Sequence, residues 1–258
     1  MAPYDFVPNV QCSFPVKCHP LYSFIRPGLE DWAATLEPGH GEGNPKGLGA
    51  DLGGAKRLVD SYLGIIHAPE PVADMEFPRF CDMWNDLRAD MPLKQYQRFA
   101  NRVSELLKAS VNQVRLRNLK TVMGLEELLA HRRMLVGVFV METLMEYGMG
   151  FELQDDAISN QDLQEAESLV ADHCNWRYSV QYRPCGNSDS KGFSFEYAAD
   201  KVQKLVQSIE HRFKKLCENI RRSSCYNGAM EAYLEGLSHI ISGNLEWHRQ
   251  TGRYKLVS

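Results

Sequence analysis

Four groups of side chains in this 258-residue sequence have the types and spacing to do chemistry. Arg132 and Arg133 stand side by side just ahead of the apolar run 134–147. Two planar guanidiniums at the mouth of an apolar segment can hold a phosphate through paired N–H donors. Without a ligand, the same pair is a basic helix end whose stems lie on apolar surface and whose heads reach water. Asn175, Ser179 and Arg183 follow at i, i+4 and i+8, one face of a helix. They form either the polar wall of a pocket or an ordinary solvated face. In the closing run Trp247–Tyr254, Gly252 can end a helix and leave Arg253 and Tyr254 to offer N–H and O–H donors to an oxyanion. The bland alternative is a frayed tail. Asp155 and Asp156, with Asp162 beyond, cluster carboxylates as a hard cation requires. Ser159 and Asn160 behind them are cap residues, and an interhelical loop is the favoured reading.

The elements that must carry these residues are helical. Phe80, Met83, Trp84 and Leu87 fall at i, i+3, i+4, i+7, and Val103, Leu106, Leu107, Val111 and Val114 repeat the pattern. Residues 134–147 are apolar nearly all round, which predicts a helix buried in the middle of a bundle. Val202, Leu205, Val206, Ile209, Phe213, Leu216, Cys217 and Ile220 make one stripe, and Met230, Tyr233, Leu234, Leu237, Ile240 and Ile241 another. Trp84 belongs to a core stripe, with Asp86 and Asp90 on solvated faces. No stretch alternates with the period of two expected of strands. Gly and Pro concentrate in residues 1–54, and residues 37–54 read as linker. Residues 184–192 read as a loop between helical blocks. The expectation is an all-α protein with an irregular N-terminal segment and linker over 1–54 and one helical domain over 55–258.

Composition narrows the function classes. Hydrophobic residues at 44% and charged residues at 24% are those of a globular chain, and a net charge of −4 is not the footprint of a nucleic-acid binder. The longest apolar stretch, 134–141, is far short of the roughly 20 residues a membrane helix needs. Pro3, Asp5 and Pro8 stand where a signal peptide carries a basic start and an apolar run, so a cytoplasmic location is expected. Seven cysteines without a CxxC pair argue against both a zinc site and a disulfide framework. Walker, GxGxxG and GxSxG patterns are missing.

The residues at the C-terminus carry a family resemblance. Gly243-Asn244-Leu245-Glu246-Trp247, then Thr251 and Arg253-Tyr254, resembles the GNxxW…[ST]xRY closing motif of class I terpene synthases of the bacterial and fungal type. The segment 125–133 resembles the helix that carries that family's diphosphate-sensing arginine, and residues 80–99 resemble the helix before it. The resemblance runs from about Ala55 to the end. It implies a class I terpene synthase-like helical bundle in which Arg133 senses diphosphate with Arg132 beside it. It further implies that Arg253 and Tyr254 hydrogen-bond the diphosphate, and that Gly137 is a helix break near the reacting carbon.

Two departures from the family pattern bear on mechanism. The family holds three Mg²⁺ ions through an aspartate-rich motif and an NDxxSxxxE motif. Residues 175–183 stand where the second belongs and keep Asn175 and Ser179, but Arg183 occupies the place of a glutamate ligand. Arginine cannot ligate Mg²⁺. Gly-rich linker stands where the aspartate-rich motif is expected, so the bundle is read as shortened in its N-terminal part.

The expected function is a noncanonical, metal-independent terpene cyclase-like enzyme that cyclises, rearranges or joins an isoprenoid-derived substrate. The catalytic set is Arg183, Asn175, Ser179 and Gly137. The substrate-binding set is Arg133, Arg132, Arg253, Tyr254 and Tyr178, with Tyr178 among the aromatics that can face a developing cation. No residue is assigned to a metal, and Mg²⁺ is disfavoured. The ligand is a terpenoid or a prenyl diphosphate, with neither nucleic acid nor membrane as partner and a homodimer left open. Two alternatives stand beside this reading: a non-catalytic terpenoid- or protein-binding pseudoenzyme, and a Mg²⁺-dependent sesquiterpene synthase with an atypical metal site.

Overall fold

The computed structural model describes residues 12–16, 51–120, 123–181 and 195–250, with residues 125, 176–181, 195–199 and 248–250 described by backbone alone. Helix is the regular structure of the described residues, and no strand occurs among them. The chain divides into two compact units, one of Lys17–Met123 and one of Met1–Val16 with Gly124–Ser258.

The first unit holds α1 (Leu52–Ile66), α2 (Pro78–Asp90) and α3 (Leu93–Asn118). Asp51 starts α1 by accepting a hydrogen bond from the Gly54 amide at 2.9 Å, and Pro78 sits in the first turn of α2, where its missing N–H costs nothing. Trp84 is the anchor, 1% exposed. Its indole stacks on Phe80 and Phe99, and its N–H donates to the Tyr96 hydroxyl at 2.7 Å. Tyr96 in turn donates to the Ile66 carbonyl at the end of α1. The expected α2 stripe is narrower than its sequence period: Met83 points to solvent, while Cys81 takes a buried place. Asp86 and Asp90 are exposed, as their faces require.

The second unit holds α4 (Leu125–Leu135), α5 (Val138–Gly148), the single turn α6 (Asp155–Ile158), α7 (Gln161–Gln181), α8 (Phe195–Arg221) and α9 (Gly228–Gln250). The long helix α7 packs along α8 and also touches α9, α4 and α5. The two apolar stripes form this core, with Val206, Phe213, Ile220, Met230, Leu237 and Ile241 at 0–1% exposure. Only Leu205 of the α8 stripe is exposed. Asp155 and Asp156 lie in the turn α6, and Asn160 accepts from the Leu163 amide at 3.1 Å to start α7, so this acidic pair belongs to a capped interhelical turn.

Residues 134–147 depart from expectation. The run is not one central helix: α4 stops at Leu135 and α5 begins at Val138. Met141 and Leu144 are exposed, while Glu142, Thr143 and Glu146 are buried. The Glu146 carboxylate accepts from the Leu153 amide at 2.7 Å, a bond to a buried donor that outweighs the apolar gain of turning Met141 inward.

Residues 12–16 are clasped onto the helices of this unit. Glu210, 4% exposed on α8, accepts from the Ser13 amide at 3.0 Å, from the Ser13 hydroxyl, and from His173 Nε2 at 3.4 Å. Phe14 meets Phe213 edge-on, and the Ser242 hydroxyl donates to the Pro15 carbonyl at 2.9 Å. Burial by itself would raise the Glu210 pKa. The hydrogen bonds from His173, Ser13 and Cys12 overcome that and hold the carboxyl at about 2, against an ordinary 4.5. A carboxylate held below its unfolded value stabilises fully above about pH 5 and loses that contribution as pH falls toward 2. Glu210→Gln is therefore expected to lower stability by about 2 kcal/mol at pH 7. Denaturant unfolding at pH 7 and at pH 3 checks this, and the gap between variant and parent narrows at the lower pH.

Candidate active site

The candidate site grows from one backbone feature. Gly137 lies between α4 and α5 with φ +76°, in the left-handed region, and serves as the N-cap of α5. An L side chain there is strained, so glycine is what permits the chain to leave one helix and enter the next within two residues. The break sits four residues after Arg133, where the resemblance expects one.

Arg133 closes the last turn of α4, and its guanidinium reaches α7. Nε donates to Asp172 Oδ1 at 2.8 Å and Nη2 to Oδ2 at 2.7 Å, a two-bond fork. The side chains are 33% and 21% exposed, so the pair is supported by the helices yet open to solutes. Arg132 is half-buried in the same turn. Partial burial and then the Arg132 cation lower the pKa of neighbouring His131, while Glu127 pulls the other way. The end of α4 is thus a basic corner.

Asn175 lies one turn beyond Asp172 on α7, 1% exposed, with its Nδ2 making no hydrogen bond among the described residues. Ser179 and Tyr178 are placed by backbone in the same helix. The pattern puts Asp172, Asn175 and Ser179 on one face, at i, i+3 and i+7. Arg183, Arg253 and Tyr254 lie outside the described residues. The structure therefore joins Arg133, four residues before Gly137, to the helix that carries Asn175 and the backbone of Ser179. It also adds Asp172, which the sequence reading missed. The available signal was a carboxylate three residues before Asn175, the helical spacing that unites the rest.

A second buried polar group flanks α7. The Tyr233 hydroxyl donates to Glu167 at 2.8 Å. Burial, followed by the Glu167 and Glu142 carboxylates, raises its pKa well above the ordinary phenol value. Burial and Glu142 likewise raise the Cys174 thiol, and burial holds Cys217 at about 11, so both stay protonated and behave as small apolar side chains.

The comparisons with known proteins bear on the family and the fold. Residues 50–217 match the model of Terpene synthase family 2, C-terminal metal binding. Microbial Terpene synthase-like protein 13 of Selaginella moellendorffii is 33% identical over 225 residues, 81% of this chain and 63% of that protein. A 7-epi-alpha-eudesmol synthase of Streptomyces viridochromogenes, described as cyclising (2E,6E)-farnesyl diphosphate, is 24% identical over 78% of this chain and 64% of its own. Among solved structures, a protein from ancestral sequence reconstruction superposes with a TM-score of 0.79 at 18% identity, covering 98% of this chain and 92% of its own. The fold is that of the all-α class I terpene synthases. The chain belongs to the terpene synthase family, and it spans just under two thirds of the length of the curated relatives named here. Among the described residues, no helix is long and apolar enough to cross a membrane.

The family description implies a metal, and the donor set on α7 can be tested against it. Mg²⁺ favours carboxylate oxygens in a near-octahedral shell. Asn175 offers an amide and Ser179 a hydroxyl, Arg183 offers no ligand at all, and the carboxylate on this face, Asp172, is taken by Arg133. The triplet 175, 179 and 183 does not fit Mg²⁺. Gly137→Ala is expected to cost about 1–2 kcal/mol, since no neighbouring atom crowds the position and the penalty is the left-handed backbone alone. A thermal melt checks it, with Gly148→Ala, at the ordinary helical end of α5, as the control that gains or holds stability.

Proposed function

We propose that this protein is a terpene cyclase-like enzyme whose substrate is an isoprenoid diphosphate or a terpenoid derived from one. In this reading arginines, not a magnesium cluster, stabilise the departing or bound anion. The observation that carries it is Arg133: a half-exposed guanidinium in the basic corner of α4, directly before the left-handed break at Gly137, in a chain of the terpene synthase family.

Heterolysis of an allylic C–O bond leaves a delocalised carbocation and a diphosphate, and preorganised cationic donors lower the barrier where that negative charge develops. Arg133 supplies a fork of N–H donors to the anion, with Arg132 beside it. Arg253 and Tyr254 are assigned the closing contacts to the same group by resemblance, and Arg183 the positive charge that a metal would otherwise bring. Asn175 and Ser179 are assigned to the α7 wall as neutral donors and acceptors, by their spacing on one helix. Tyr178 is assigned to the carbocation side, where an aromatic face stabilises positive charge.

The expected outcome is diphosphate release and hydrocarbon or alcohol products from farnesyl diphosphate that persist in EDTA. Arg133→Ala is expected to lower kcat/KM by about 10²-fold or more, the scale of removing one preorganised donor. Product analysis by gas chromatography, with released diphosphate measured in parallel, reads both. Activity that returns only with Mg²⁺ would replace the arginine reading with an atypical metal site. The lack of a carboxylate at position 183 also favours a second reading, a non-catalytic terpenoid-binding protein. Turnover absent under both conditions, with retained binding of a terpenoid, would establish that one.

A further inference from the structure

We propose that Asp172 is an internal competitor for the anion site at Arg133, so that a ligand reaches the guanidinium only by displacing this carboxylate. The inference rests on the reading of Arg133 as an anion-binding residue and assigns its regulation. Asp172 occupies the Nε–Nη2 edge of Arg133 with both oxygens, at 2.8 and 2.7 Å. That edge is the one a pair of phosphoryl oxygens takes in a fork geometry. The two side chains come from different helices, α4 and α7, and lie 39 residues apart in sequence. No local constraint therefore obliges them to stay paired. Both are partly exposed, at 33% and 21%, so water can solvate the carboxylate once it is displaced.

The exchange breaks one ion pair and forms another, and the sign follows from charge. A carboxylate carries a single negative charge spread over two oxygens. A diphosphate carries more charge and more acceptor oxygens, so it can win the exchange where inorganic phosphate gains less. Asp172 thereby lowers the apparent affinity of this edge for any anion by one common factor, which a diphosphate overcomes and a weakly bound phosphate does not. It also keeps the free protein from holding an unpaired guanidinium at the end of α4. Asp172 is a positioning residue, acting through Arg133.

Calorimetric titration of the full chain in EDTA with inorganic pyrophosphate, and separately with inorganic phosphate, tests this. Asp172→Asn and Asp172→Ser are both expected to bind pyrophosphate about 2- to 10-fold more tightly than the parent, the range set by the loss of a partly exposed ion pair. Phosphate is expected to gain by a similar factor, since both anions displace the same carboxylate. Asp172→Glu, which keeps the charge, is expected to stay near the parent. Weaker or unchanged binding in the two neutral variants, with cooperative melts, would make Asp172 a support for Arg133 and overturn the proposal. Arg133→Ala separates the levels. If it leaves pyrophosphate binding intact, the anion-site reading itself fails; if it abolishes binding while the Asp172 variants show no gain, only the competitor is refuted.

Discussion

The left-handed residue at Gly137 is the constraint on which the site depends. A continuous helix through residues 125–148 would keep turning in register, and its most apolar residues would face the bundle. The break resets the phase. α4 ends with Arg133 reaching α7, and α5 starts afresh with Val138, Glu142 and Glu146 turned inward. One backbone conformation open to glycine therefore decides both where the guanidinium reaches and which acids enter the core.

How much of this was legible depends on whether a residue's fate was local. The α8 and α9 stripes could be read because apolar side chains at helical spacing bury whatever their partner is, and Phe213, Ile220, Leu237 and Ile241 do so. Helix α5 could not be read this way. Nearly every position is apolar, so periodicity carries no phase, and the deciding contact is the Glu146 bond to the Leu153 amide. The Glu210 clasp was opaque for another reason. Its partner Ser13 lies 197 residues away, and nothing in a basic-rich amphipathic helix marks one glutamate as buried.

The family was visible in the arginine segment and the closing motif, whereas Asp172 was not. An aspartate at a helical position is ordinarily solvated, and pairing with Arg133 appears only once α4 and α7 are side by side. The triplet at i, i+4 and i+8 runs forward from Asn175, as does the family pattern it resembles. The charge that matters structurally lies one turn behind it.

That displacement of charge changes how α7 can act. With a carboxylate at the far end of the triplet, the helix would present an anion to solvent at the position most remote from Arg133, free to recruit a cation. In this sequence the far end is Arg183 and the carboxylate is Asp172, already matched to a guanidinium. The described part of this face of α7 is therefore neutralised where Asp172 meets Arg133. A cation approaching this face through Asp172 meets a carboxylate that must first be released from an ion pair.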